Sequence, residues 1–170
     1  SPESYSGAFS RPSGSGARFL GLSGSPDYLP SLPDGDLTLL NTKASRFAVF
    51  VRRVATQVFS ELRQSGWERL SAGDIMSMQG FSTVRAVISK DGKLLRIEPL
   101  ESSGSSRFDS VLFEAAKRGA ADPHPPAAAA ASDGNIHFIF KARSWVRIYS
   151  DPRTGARNER RWLLLATGLE

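Results

Sequence analysis

The sequence predicts an α+β domain in which two helices pack on one face of a three- to four-stranded antiparallel sheet, in the order α-β-β-α-β-β. Three observations carry this expectation. Apolar residues recur at helical spacing over 43–65, an Asp-Gly dipeptide stands between two apolar runs within 83–100, and apolar residues alternate from Ile136 onward.

The first helix is expected near 43–65. Phe47, Phe50, Val51, Val54, Val58 and Leu62 recur every three or four residues, with Arg46, Arg52, Arg53 and Arg63 interleaved. Asn41 or Thr42 can cap its start, and Gly66 stands where a left-handed residue would end it. Residues 66–81 read as a short helical turn or as a loop: Trp67, Leu70, Ile75 and Met76 favour the turn, Gly73 and Gly80 the loop.

Strands are expected at 83–89 and 94–100, joined through Lys90-Asp91-Gly92-Lys93 as a tight type I′ hairpin. Pro99 cannot donate to a ladder, so it belongs near a strand end or on an edge. Ser106-Arg107-Phe108-Asp109 resembles a capping box with Asp in place of Glu. The helix it opens, near 107–118, has Phe108, Val111, Leu112, Ala115 and Ala116 as its apolar face, with Gly119 at its end. A long connection over 120–135 follows. Ile136, Phe138, Phe140 and Ala142 then share one face of a strand that continues through Trp145, Val146, Ile148 and Tyr149 after a bend at Ser144. A last strand at 161–167 folds back on it after a loop.

Composition bounds the function. The 170 residues carry 22 Lys+Arg against 17 Asp+Glu, a formal charge of +5, and support one ordinary domain plus a tail. Residues 1–36 hold 9 Ser, 6 Gly and 5 Pro, the composition of a flexible linker, so the domain is expected over 37–170. Phe19 to Leu22, or Tyr28 to Leu32, are the parts of that linker able to dock on the domain. Without Cys there are no disulfides and no thiolate metal sites, and His124 and His137 alone make no closed zinc site. No run of 18 apolar residues spans a bilayer, and the opening has no signal-peptide pattern. Ser1 reads as the first residue of an excised fragment whose anchor lay upstream.

The motifs for chemistry are weak. No nucleophile elbow, P-loop or dinucleotide fingerprint is present. Ser102-Ser103-Gly104-Ser105-Ser106 suits a strand-to-helix turn better than an anion site, and Glu98 with Glu101 shows no mark of a cleft. No cofactor, metal or catalytic residue is expected. Arg143, Arg147, Arg153, Arg157, Arg160 and Arg161 concentrate positive charge near the last two strands. That charge is a solvated face or a surface for an acidic partner. Nucleic acid is the weaker alternative, because RNP-type aromatic motifs are missing.

Taken together, Thr83-Val84-Arg85-Ala86-Val87-Ile88-Ser89-Lys90-Asp91-Gly92-Lys93-Leu94, Glu101-Ser102-Ser103-Gly104-Ser105, Phe108-Asp109 and Ala115-Ala116-Lys117-Arg118 resemble the C-terminal domain of TonB and TolA energy transducers. Pro123-His124-Pro125-Pro126 is similar to that family's Pro-rich stretch. Leu40-Asn41-Thr42-Lys43 with Phe47-Ala48, Phe50, Arg53 and Val54 resembles the first helix of TonB-like transducers of predatory and gliding bacteria.

The resemblance implies a non-enzymatic periplasmic module, anchored in the inner membrane by an N-terminal segment. It would bind a peptide segment of an outer-membrane receptor or periplasmic protein by β-strand addition. Through its anchor it would couple that partner to a proton-driven motor of the ExbB–ExbD or TolQ–TolR kind. The expected partner-binding edge comprises Phe138, Phe140, Ala142, Arg143, Trp145 and Arg147, or else the C-terminal strand. That extra strand is a displaceable plug, a dimer-swapping arm or a sheet extension. The alternatives are a component of a gliding-motility or envelope-integrity machine and, lower, a basic nucleic-acid-binding α+β module.

Overall fold

The computed structural model describes Pro26, Asp27 and residues 37–170. The rest of the expected linker, with both of its candidate docking segments, Phe19 to Leu22 and Tyr28 to Leu32, lies outside the described residues. Strands β1 (Pro26–Asp27) and β2 (Leu37–Leu40) precede helices α1 (Thr42–Arg46) and α2 (Ala48–Ser65). A 3-10 turn at Trp67–Arg69 leads to the short helix α3 (Ala72–Met76). Then come β3 (Ser82–Ile88), β4 (Leu94–Glu101), α4 (Ser106–Gly119), a 3-10 turn at Ala127–Ala129, β5 (Ile136–Ser150) and β6 (Arg157–Leu169).

All six strands join one open sheet in the order β1-β2-β6-β5-β3-β4. Four of them, β4-β3-β5-β6, form a continuous antiparallel layer. The expected α+β class and antiparallel layer are therefore present, but the sheet is wider than three or four strands. Strand β2 adds to β6 in parallel, Leu37 opposite Leu164 and Leu40 opposite Thr167, and β1 pairs with β2 ahead of the expected domain boundary. Three Leu and a Thr in four residues gave no signal that separates a strand from a helix lead.

The helical layer buries one sheet face. Val54, Val58 and Leu62 of α2 and Phe108, Leu112 and Ala116 of α4 share a core with Val84, Ala86 and Ile88 of β3 and Ile136, Phe138 and Phe140 of β5. Phe138 stacks on Phe140 with centroids 5.6 Å apart, and Phe50 tilts against Phe138 at 5.5 Å. Each such buried side chain contributes about 2 kcal/mol. The two long helices approach closely at Gly119, where a Cβ would lie 2.8 Å from the backbone nitrogen of Val58.

Local differences from the sequence reading have physical causes. The first helix breaks at Phe47, whose φ of −119° and ψ of 37° leave the helical region. The break turns α1 toward the end of β6. Asn41 caps α1, as expected, and also pairs with that strand: its Nδ2 donates to Leu169 O at 2.9 Å, and Leu169 N donates to its Oδ1 at 3.2 Å. Gly66 is not left-handed, at φ −158° and ψ −39°. A side chain there would collide with Val111, 2.7 Å away. The N-cap of α4 is Ser105, one residue earlier than expected; its hydroxyl accepts from Phe108 N at 3.2 Å.

The β3–β4 turn is one residue longer than a type I′ turn. Gly92 N donates to Ser89 O at 2.9 Å and Ser89 N to Lys93 O at 2.8 Å, so Lys90 and Asp91 are the central residues. Gly92 follows them in the left-handed region, φ 84°, in the manner of a bulge. Finally, Ser144 makes no bend. It is buried mid-strand, and β5 runs straight through it.

Candidate partner-binding edges

The structure divides the six expected edge residues into two groups. Phe138, Phe140 and Ala142 do not lie on an edge. They pair with β3 on one side, Ala86 opposite Phe138 and Ser82 opposite Ala142, and with β6 on the other, Leu169 opposite Phe138 and Leu165 opposite Ala142. Their side chains are fully buried against the helices. Their backbone and side chains are committed to the fold, which corrects their placement in a binding edge. The C-terminal strand is no open edge along Leu164 to Thr167 either, because β2 covers it there.

Arg143, Trp145 and Arg147 lie beyond that region. The ladder with β3 ends at Ser82, so from residue 143 to 150 no described strand pairs with β5 on that side. On its other side β5 pairs with β6 without a register shift as far as Ser150 opposite Arg157. The two strands therefore overhang the sheet as a ribbon of about 25 Å, from eight residues at about 3.3 Å each.

The base of the ribbon is fixed to the helical layer. Trp67 Nε1 donates to Ser144 Oγ at 2.7 Å, and that hydroxyl donates to Trp162 O at 2.6 Å. Arg161 donates to Trp67 O at 3.1 Å and Leu70 O at 2.5 Å, and pairs with Glu159. The ambiguous stretch at 66–81 is thus the bracket that holds the ribbon. Sequence reasoning missed this because a Trp in a short turn carries no sign of what its indole will meet.

One face of the ribbon bears Arg143, Trp145, Arg147 and Tyr149, opposite Leu164, Trp162, Arg160 and Asn158. The Arg143 guanidinium lies 5.6 Å from the ring centres of both Phe81 and Trp145, and that of Arg160 lies 5.4 Å from Trp162.

A second border runs along β4, the outermost strand on its side, where Pro99 stands opposite Val84 as an edge proline should. Leu95 is 52% and Leu100 41% exposed there. An apolar run predicts a strand but does not tell which of its Leu residues stays exposed. Register shifts at Thr83/Val84 and Val87/Ile88 break the flatness of this border.

The polar clusters around the two borders tie elements together. Asp109 accepts from Ser102 Oγ at 2.6 Å, Ser103 Oγ at 2.8 Å and Ser103 N at 3.0 Å. Burial pushes its carboxyl up, and these donors outweigh that effect and hold it below the usual range. Arg85 donates to Glu98 at 2.8 Å and with two nitrogens to Glu170 at 2.8 and 3.1 Å, spanning β4, β3 and the residue after β6. Both carboxyls are held low, first by Arg85 and at Glu98 also by Arg96. Among the described residues no group of three His, Asp or Glu is placed to hold a metal, and no helix is long and apolar enough to cross a membrane. His137 bonds Asp133 at 2.8 Å; the hydrogen bond from Asn135 N and then His137 hold that carboxyl low.

Compared with family models, with curated proteins and with solved structures, the chain matches none.

Proposed function

We propose that this domain is the partner-binding end of a TonB-like periplasmic force transducer, and that it captures an extended segment of an outer-membrane or periplasmic protein by adding it to the sheet. The reading rests on the sequence resemblance and on one structural observation. An antiparallel layer, backed by two helices, ends at β4, outside which no described strand pairs, and no described strand pairs with β5 beyond Ala142 on the β3 side. An added strand gains main-chain hydrogen bonds, while alternate side chains set specificity. A strand pulled along its own axis must break several of those bonds together, which suits a coupling that carries load. Force would come from a proton-driven inner-membrane motor of the ExbB–ExbD or TolQ–TolR kind through an N-terminal anchor. A gliding-motility or envelope-integrity machine would use the same edge with another client.

Strand β6 extends the sheet in this reading. Leu163, Leu165 and Leu169 belong to the core, so detaching the strand would open the domain. The test is titration of the chain with synthetic periplasmic segments of outer-membrane receptors and of envelope proteins. Micromolar binding that orders the peptide as a strand is expected. Capture of only folded partners, through the helical face, would overturn the reading.

A further inference from the structure

We propose that the far end of the β5–β6 ribbon, residues 147–160, docks on the surface of an anionic phospholipid bilayer. Ile148 and Tyr149 enter the interface, and four exposed Arg hold headgroup phosphates. This goes beyond the strand-addition reading and does not depend on it, because it uses side chains at the tip of the ribbon and no ladder.

Charge is concentrated at this end. Residues 147–161 hold five Arg against Asp151 and Glu159, a surplus of three in a chain whose net charge is +5. Glu159, across from Ile148, pairs with Arg161, and Asp151 accepts from Arg153 N at 2.8 Å. Arg147, Arg153, Arg157 and Arg160 are all exposed. Elsewhere on the surface Arg53 meets Asp122, Arg96 meets Glu98 and Arg118 meets Glu114. On the ribbon Arg147 instead stands directly opposite Arg160. Like charges in a cross-strand pair destabilise a ribbon. A plane of phosphates offsets that repulsion, and each Arg brought to an anionic leaflet strengthens attachment about fivefold.

Apolar side chains occupy both faces of the same end. Ile148 is 39% and Tyr149 49% exposed, and as neighbours on a strand they point to opposite faces. A flat partner would cover one of them, whereas a tip that enters a bilayer interface end-on buries both. Tyr suits that depth, since its ring is apolar and its hydroxyl meets water. Arg can lay its stem along the tip and keep its guanidinium among the headgroups.

The turn is closed in a way that such a medium requires, because unsatisfied main-chain groups are costly away from water. Asp151 N donates to Ala156 O and Gly155 N to Asp151 O, both at 2.8 Å. Ala156 N donates to Thr154 Oγ1 at 3.2 Å. At its other end the ribbon is fixed to the helical layer through Ser144 and Arg161, so the tip is held out from the domain.

Single-stranded nucleic acid is the competing occupant, since bases stack on aromatic platforms with cations nearby. The tip is less suited to it: Tyr149 and Ile148 face opposite ways, and Arg160 lies over the Trp162 ring of its own strand.

The test is co-sedimentation of the full chain with vesicles of pure phosphatidylcholine and with vesicles in which about one lipid in three is phosphatidylglycerol. An eight-nucleotide oligothymidylate is titrated in the same buffer. Binding at least tenfold tighter to the phosphatidylglycerol vesicles is expected, and added salt should weaken it. Arg153→Gln/Arg157→Gln should lose about tenfold to thirtyfold of that affinity. Ile148→Ser/Tyr149→Ser should lose about tenfold, from the apolar area no longer buried. Both variants lie in the exposed overhang and should unfold at the parent's temperature. Equal affinity for the two kinds of vesicle, or none for either, overturns the proposal and leaves strand addition standing. Full binding by Ile148→Ser/Tyr149→Ser overturns insertion of the tip. Tighter binding of the oligothymidylate, weakened by the same Arg variant, replaces the bilayer with nucleic acid.

Discussion

Asp122 is buried while the guanidinium that faces it, on Arg53, is half-exposed. Arg53 donates to both carboxylate oxygens, at 2.9 and 3.1 Å, and His124 N donates to one of them at 3.1 Å. Asp122 N in turn donates to Gly92 O, so one residue joins helix α2, the β3–β4 turn and the Pro-rich connection. Arg53 is the first cause that holds the carboxyl below its usual range, against the opposing effect of burial. A depressed pKa contributes stability in full above the ordinary aspartate value of about 3.9, and that stability is lost as pH falls toward the depressed value. Asp122→Asn should therefore cost about 2 kcal/mol at pH 7. The gap from the parent should close as pH drops below about 4, as urea titrations at several pH values would show. An Asp before a Pro-rich stretch gave no sign of this in the sequence, because its partner lies 69 positions away.

At the scale of elements, what could be read followed period. The stripe from Phe50 to Leu62 and the alternation from Ile136 to Ala142 placed α2 and β5, because burial on one face imposes those spacings. The break at Phe47 and the strands β1 and β2 were not legible, since the break and β2 depend on contacts with β6, and β1 on its pairing with β2, and not on local pattern. The Asp-Gly signal found the hairpin but not its length. There Gly92 has two constraints, a φ of 84° and a place so close to Asp122 O that an added Cβ would sit 1.5 Å from it. Gly92→Ala should cost about 3 kcal/mol, since the colliding atom is backbone and cannot swing away. Thermal unfolding measures this directly. For β6, truncation after Tyr149 should abolish cooperative unfolding, because it removes Leu163, Leu165 and Leu169 from the core. A truncated chain that unfolds cooperatively and binds peptide more tightly would instead make β6 a displaceable plug.

For the whole molecule, the helical layer and sheet form one body, and in the proposed reading a partner segment adds to an outer strand of its sheet. The six residues named from sequence straddled the end of the β3 ladder. Phe138, Phe140 and Ala142 were drawn in by the same alternation that marks a strand, which does not tell a central strand from an edge. Arg143, Trp145 and Arg147 fell in the overhang, which exists only because β3 stops at Ser82 while β5 continues to Ser150. No local pattern encodes the relative lengths of two paired strands. The decisive measurement is amide hydrogen exchange, residue by residue, with and without a bound client segment. Successive residues of an edge strand point their N–H groups alternately toward the neighbour and away from it. Strand addition predicts that every second amide on one border gains protection, while those between are protected already. Protection gained on the helices, or uniformly along β5 and β6, would contradict it.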